Sequence, residues 1–212
     1  MAQAPPQPEP PDYNQIALNI ANGRVALQKR DYASAQQFFD AYIHFYPADP
    51  RGYFWNAVAQ QAAGDDKAAV QSYLKTLEVA KGISMDSAEL RTNLGGLMLK
   101  QNYIKEATYD FRRAIEIDPS LDAAHIGLSE AYLAAGKYDL ALAELQTLSD
   151  KGIMEPRMPF LKAKALEGLG RVDEAKAQLA LYDRGVDGAS GELMDSARSM
   201  LHTISQTDNK SR

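Results

Sequence analysis

The stretch LRTNLGGLMLKQNYIKEATYDFRRAIEIDP, residues 90–119, decides the fold. Leu94 and Met98 recur at the spacing of one helical face, and Ala107 and Phe111 do the same after a short polar break. The stretch closes at a proline, which cannot continue a helix. It therefore predicts two helices joined by a tight turn, a helix–turn–helix unit of about 30 residues.

The same pattern recurs along the chain. An alanine opens the second helix of each unit, a large apolar residue follows it, a small residue lies in the preceding helix, and a turn residue lies between. The alanines are Ala35, Ala69, Ala107, Ala141 and Ala175, the large residues Phe39, Tyr73, Phe111, Leu145 and Leu179, the small residues Gly23, Ala57, Gly95, Ser129 and Ala163, and the turn residues Arg30, Gly64, Asn102, Gly136 and Gly170. Antiparallel helices cross closely only where a small residue lets their backbones approach. A left-handed residue then ends the first helix.

This periodicity resembles the tetratricopeptide repeat, a helix–turn–helix unit of 34 residues. The resemblance covers residues 16–187 and implies an all-α, right-handed α-solenoid of about five helix–turn–helix repeats plus a C-terminal capping helix. The alternative is an ordinary bundle of Ala-rich helices. The predicted repeat domain is 12–187, with repeats at about 16–49, 50–83, 88–121, 122–155 and 156–187, a capping helix at 190–205 and a disordered tail at 206–212. Asp12, Asp31 and Ser190 are expected to cap helices.

The amino-terminal residues 1–11, MAQAPPQPEPP, are rich in proline and have no hydrophobic face. They predict a polyproline-like or disordered linker, and they do not have the pattern of a signal peptide. Two interpretations stay open: a natural tail of a cytoplasmic protein, or the spacer of an exported or membrane-tethered protein with an upstream segment. A further loop is predicted at Lys81–Asp86, where four extra residues lengthen one repeat interval to 38.

Composition limits the functions that the chain can have. Its formal net charge is −5, so a broad basic surface for nucleic acid is not expected. No apolar run reaches the roughly 18 residues of a membrane-spanning helix, so no span is predicted. The chain contains no cysteine, which removes disulfides, thiolate metal sites and cysteine nucleophiles.

No catalytic or metal-binding motif is found in the sequence. His44, His125 and His202 lie in different predicted helices, and an aspartate about one turn before each of the first two predicts a helix-surface pair. Gly95-Gly96 lies mid-helix and is attributed to close helix crossing. Phosphate-binding, dinucleotide-binding and Gly-x-Ser-x-Gly patterns are not present. The sequence therefore predicts no enzyme activity, no cofactor and no metal.

The repeat family that the pattern resembles lines a concave groove with its first helices. The resemblance implies that the groove is formed by Ile20, Arg24, Arg51, Phe54, Val58, Thr92, Asn93, Ile126, Glu130, Arg157 and Phe160. A largely apolar ribbon flanked by arginines suits an amphipathic helix or an extended segment, with arginine available for a carboxylate. The second interpretation is that some of these side chains, Ile20, Phe54 and Ile126 among them, pack inside or between repeats instead.

The resemblance implies a non-catalytic protein–protein interaction scaffold or assembly adaptor that binds a helix or extended peptide of another protein. One subgroup of the family clamps the C-terminal carboxylate of a heat-shock protein with Lys, Asn, Asn, Lys and Arg. Only Asn93 matches that clamp, so this partner is not expected. The alternative function is self-assembly into homo-oligomers through an end or the convex surface.

Overall fold

The computed structural model describes residues 13–82, 86–185, 195–197 and 199–204, which are almost entirely helical and contain no strand. The helices are α1 (Tyr13–Gln28), α2 (Tyr32–Phe45), α3 (Pro50–Ala62), α4 (Asp66–Val79), α5 (Ala88–Lys100), α6 (Ile104–Ile117), α7 (Asp122–Ala134), α8 (Tyr138–Asp150), α9 (Met158–Gly168) and α10 (Val172–Gly185). A short 3-10 turn, Ala80–Gly82, follows α4. The chain divides after Asp86 into two compact units. The first unit contains α1–α4 and the second contains α5–α10, and consecutive helices pack against each other within each unit.

Each helical hairpin turns through one left-handed residue, as the sequence predicts. The five turn positions have φ values of 59° at Arg30, 86° at Gly64, 64° at Asn102, 70° at Gly136 and 73° at Gly170. In each case the following amide donates to the carbonyl five residues earlier, at 2.8–2.9 Å. This bond is the mark of the Schellman motif, which satisfies carbonyls that the helix end leaves free. Arg30 adopts this conformation despite the steric cost of its Cβ.

In the first repeat, the large residue of the second helix fills the space beside a small residue of the first helix. Phe39 of α2 is fully buried beside Gly23 of α1, where a Cβ would overlap the phenyl ring. Its cluster also contains Ala59 of α3. The ring therefore joins the first helix of its own repeat to the first helix of the next.

The second unit repeats this arrangement around Phe111 of α6. A Cβ at Gly95 of α5 would lie 3.1 Å from its ring, and a Cβ at Gly127 of α7 would overlap it. The sequence pattern identifies Gly95 as a packing position but not Gly127. The neighbouring glycine, Gly96, is exposed with no atom within 4 Å of a Cβ position. Close crossing therefore explains Gly95 and does not explain Gly96.

The carboxyl-terminal residues 195–197 and 199–204 are helical and cover the end of the second unit. Ala197 and Ile204 are buried in one cluster with Leu166 and Leu179. Leu201, between Ala197 and Ile204 in the sequence, is 36% exposed. These helical residues fit the capping helix, because the inner side is apolar and the outer side is polar.

Local signals near the helix ends agree with the structure in part. The Asp31 carboxylate accepts the amide of Ser34 at 3.1 Å, which confirms this cap. Helix α9 begins at Met158 and not at Pro156, because the Arg157 amide donates to the Glu155 side chain at 2.9 Å in a preceding turn. The predictions that lie outside the described residues are the segment 1–11, the caps Asp12 and Ser190, part of the loop at Lys81–Asp86 and the tail 206–212.

Substituting the two contrasting helical glycines tests this packing. Gly127→Ala should lower the free energy of unfolding by about 1–3 kcal/mol, because the new methyl group must displace Phe111. Gly96→Ala should raise it by up to about 1 kcal/mol through helix propensity alone. Urea unfolding followed by circular dichroism measures both. Equal stability of the two variants would contradict the role of Gly127.

Candidate peptide-binding surfaces

The first unit presents an arginine stacked on the only tryptophan of the chain. The Arg24 guanidinium carbon of α1 lies 4.8 Å from the centre of the Trp55 ring of α3. Phe54 contacts Trp55 edge-on, with 5.3 Å between the two ring centres. Ile20 of α1 and Val58 of α3 are half-buried residues of the same two helices. We call these five residues the Arg24 surface. It combines partly exposed apolar groups with a cation, which are the components that the sequence predicts for the groove.

Arg24 is exposed and makes no ion pair with the described residues. Its guanidinium is held by a cation–π contact, which orients the group without neutralising it. A planar guanidinium stacked on an aromatic ring keeps its edge N–H donors available for a carboxylate. The Arg24 surface is therefore equipped to bind an acidic group beside an apolar side chain.

Arg51 is part of an internal network instead. Its guanidinium donates to both oxygens of the Asp49 carboxylate, at 2.6–3.0 Å, and to the Tyr42 hydroxyl at 2.9 Å. The Tyr42 hydroxyl donates to Asp49 at 2.7 Å. Burial raises the pKa of Tyr42 to about 12, and its bond to Asp49 acts in the same direction. Burial also tends to raise the pKa of Asp49, but the bonds from Arg51 and Tyr42 outweigh it and hold that pKa below its usual 3.8.

Two apolar groove candidates of the second unit are core residues. Ile126 is 4% exposed and packs with Leu145, Leu148, Met158 and Leu161. Phe160 is 9% exposed and belongs to the cluster that the carboxyl-terminal helical residues cover. Both side chains therefore pack inside or between repeats and do not line an open groove, because neighbouring helices cover them.

The polar candidates of the second unit largely bind one another. Arg157 donates to Glu130 at 3.0 Å and to Glu155 at 2.9 Å. Burial raises the pKa of Glu130 even though Arg157 and Lys164 oppose it. Thr92 donates its hydroxyl to the helix carbonyl of Ala88 at 2.8 Å. These charges are compensated within the chain, so a ligand would have to compete for them.

Asn93 lies half-buried on α5 and has contacts of its own within the chain. Another polar contact of α5 is one that the sequence pattern does not reveal. Arg91 of α5 donates to Asp110 of α6 at 2.7 Å, and the Asp110 side chain is buried while that of Arg91 is partly exposed. The two residues are far apart in sequence, and only the helix crossing brings them together.

His125 has a structural role and is not a surface residue. It is 6% exposed, and its two ring nitrogens lie 2.8 Å from the Glu144 carboxylate and 3.1 Å from the Pro119 carbonyl. The predicted surface pair with Asp122 is therefore wrong, because the ring faces α8. Within the described ranges, no three histidine or carboxylate side chains converge on a common point. None of the helices described there is long and apolar enough to cross a membrane.

Comparison with known proteins identifies the repeat. The family model described as "Tetratricopeptide repeat" matches residues 98–152. The solved structure of YrrB, a tetratricopeptide repeat protein with an unusual peptide-binding site, aligns with a TM-score of 0.72 at 16% identity over 85% of this chain and 90% of its own. PilF of Pseudomonas aeruginosa aligns with a TM-score of 0.69 at 17% identity over 92% of this chain and 90% of its own.

A tetratricopeptide repeat protein from Parabacteroides merdae aligns with a TM-score of 0.75 at 17% identity, over 93% of this chain and 76% of its own. Among curated proteins, no sequence matches the chain. At these identities the likeness shows the fold, which is an α-solenoid of helical-hairpin repeats. Solenoid folds of this kind create extended concave surfaces that are used for binding.

The Tyr42 network makes a prediction about stability. Tyr42→Phe keeps the ring but removes a bond to a charged group, so unfolding should become easier by about 1.5–3 kcal/mol at pH 7. The folded pKa of Tyr42 lies above its ordinary 10.0, so its contribution is complete below pH 10 and is lost as the pH rises towards 12. The difference between the two proteins should shrink over that window.

Urea unfolding at pH 7, 10 and 12 measures this difference. Tyr109→Phe is the matched control, because the Tyr109 side chain is 58% exposed and should lose little. A difference that stays constant from pH 7 to 12 would contradict the coupling.

Proposed function

We propose that this chain, in which residues 98–152 match the tetratricopeptide repeat family, is a protein–protein interaction scaffold or assembly adaptor that binds a helix or extended segment of a partner protein. The observation that carries the proposal is the Arg24 surface of the first unit. Arg24 is an exposed groove candidate that is stacked on an aromatic ring and has no carboxylate partner among the described residues.

The expected ligand is a peptide segment with an apolar side chain next to a carboxylate. The apolar group would lie against Phe54, Trp55 and Val58, which are half-buried and so lose little conformational freedom on binding. The carboxylate would accept two parallel N–H bonds from Arg24. Large aromatic residues and arginine are the residue types that dominate binding energy at protein interfaces.

The comparison with YrrB supports a peptide as the ligand class. YrrB is described as having an unusual peptide-binding site. The present chain shares its fold at low identity, so the likeness supports the class of ligand and not the ligand itself. The partner is to be identified by selecting peptides that bind this chain.

The position of Trp55 allows a direct test, because it is the only tryptophan of the chain. Peptides selected from a random library on the wild-type chain are titrated, and Trp55 emission reports their binding. Arg24→Glu should weaken them by about tenfold to a hundredfold, the equivalent of one charge-assisted hydrogen bond.

Lys67→Glu is the matched control for that titration. Lys67 is exposed on α4 in the same unit, and the change in charge is the same. Selected peptides should bind this variant as they bind the wild type. Peptides that bind all three proteins equally would reject the Arg24 surface as the working site.

A second candidate function is self-assembly through the edge formed by α8, α9 and α10. A cavity of 420 Å³ opens there, lined mainly by apolar residues that include Ile153, Met154, Pro159 and Leu181. Met154 is 93% exposed and Leu181 is 52% exposed, which is unusual for adjacent apolar side chains. A second copy of the chain would bury both.

Light scattering after size-exclusion chromatography tests self-assembly. The wild-type chain should show a mass that rises with concentration, and Met154→Glu should reduce it to that of a monomer. Leu140→Glu is the control, because Leu140 is an exposed apolar residue of α8 outside the cavity. A wild-type chain that is monomeric at all concentrations would reject this function.

A further inference from the structure

The loop between α2 and α3 is a rigid, aromatic part of the first unit. The Asp49 amide donates to the Tyr46 carbonyl at 3.0 Å, and the Tyr53 hydroxyl donates to the Pro47 carbonyl at 3.1 Å. The Tyr42–Asp49–Arg51 network holds its far side. The loop is therefore preorganised, so little conformational entropy of the loop would be lost when a ligand binds to it.

An open cavity of 510 Å³ lies on this loop and is lined by residues 45–51. Most of its surface is apolar, and Phe45 contributes a phenyl ring that is 46% exposed. The ring of Tyr46 lies 5.1 Å from that of Tyr42, and the ring of Phe45 lies 5.1 Å from that of His44. Aromatic rings and prolines that line a shallow groove are the surface that recognises polyproline II segments.

The start of α1 lies beside this cavity. Helices α1 and α2 run antiparallel, and Gly23 lies level with Phe39. Phe45 is six residues after Phe39 on α2, so it lies level with the position six residues before Gly23 on α1. Tyr13 lies about 6 Å beyond that position in the same direction. The chain therefore enters the first unit next to the loop at residues 46–49.

The segment that precedes Tyr13 has the composition that such a cavity recognises. Prolines occupy five of the first eleven positions, in the order PPQPEPP. Proline fixes φ near the polyproline II value, so the segment loses little entropy when it is held extended. At about 3.1 Å per residue the segment is long enough to cross the whole cavity.

We propose that the cavity at residues 45–51 is a docking site for the proline-rich segment of this same chain, residues 1–11. The attachment at Tyr13 places the segment at a high effective concentration, in the millimolar range for a short linker. Even a weak intrinsic affinity is then enough for the docked state to be populated. This site is separate from the Arg24 surface and does not depend on the function proposed for it.

Paramagnetic relaxation enhancement tests the docking in the full-length chain. The chain has no cysteine, so Ala4→Cys carries the only nitroxide label. The backbone amides of Phe45, Tyr46, Ala48 and Asp49 should be broadened strongly. The covalent attachment alone brings the label near the loop. Docking is therefore tested by how much the broadening decreases when the cavity or the prolines are substituted. Phe45→Ser should reduce the broadening several-fold, and so should Pro8→Ser combined with Pro10→Ser and Pro11→Ser.

The matched control for Phe45→Ser is Leu74→Ser, which removes another exposed apolar side chain of the first unit and should leave the broadening unchanged. Amide spectra confirm that each variant is folded. Broadening that survives both the Phe45 and the proline substitutions would reflect tethering alone and would overturn the proposal. Broadening of an isotope-labelled chain by a separate spin-labelled chain would assign the segment to a neighbouring copy and would equally overturn it.

Discussion

The close approach of antiparallel helices around one large side chain is the constraint on which the rest of the structure depends. Phe39 and Phe111 each fill space that exists only because a glycine lies opposite. Each ring contacts the first helix of its own repeat and the first helix of the next, so one residue stabilises both the hairpin and the stacking. Burial of a phenyl ring contributes about 1.5–3 kcal/mol, and the rigid packing of interiors makes these positions intolerant of added volume.

The same packing decides which charged residues remain available for a partner. Arg51 and Arg157 are held by carboxylates that lie only two residues away in the sequence. A guanidinium in such a pair would have to exchange one carboxylate for another, which gives little net energy. Arg24 lies instead on a tryptophan ring. Its charge is oriented but not compensated, and this distinguishes Arg24 from Arg51 and Arg157.

The first unit therefore carries two surfaces of different chemistry. The Arg24 surface combines a cation with partly buried aromatic groups, and it suits a partner that offers a carboxylate beside an apolar side chain. The cavity at residues 45–51 is apolar, shallow and rigid, and it suits proline. In the second unit, the apolar candidates Ile126 and Phe160 are used for packing, and exposed apolar groups lie at Met154 and Leu181 instead.

The sequence by itself determined the class of fold, the repeats and their turns. Helical periodicity and a left-handed turn residue such as Asn102 are local properties, and a local property can be recognised along one chain. Tertiary structure decided the burial of Ile126, the ion pair of Arg91 with Asp110, the bond of Arg51 to the Tyr42 hydroxyl and the stacking of Arg24 on its ring. Each of these depends on which side chain lies across a helix crossing. Which side chains meet there depends on the rotation and approach of the two helices, and the repeat pattern does not encode either.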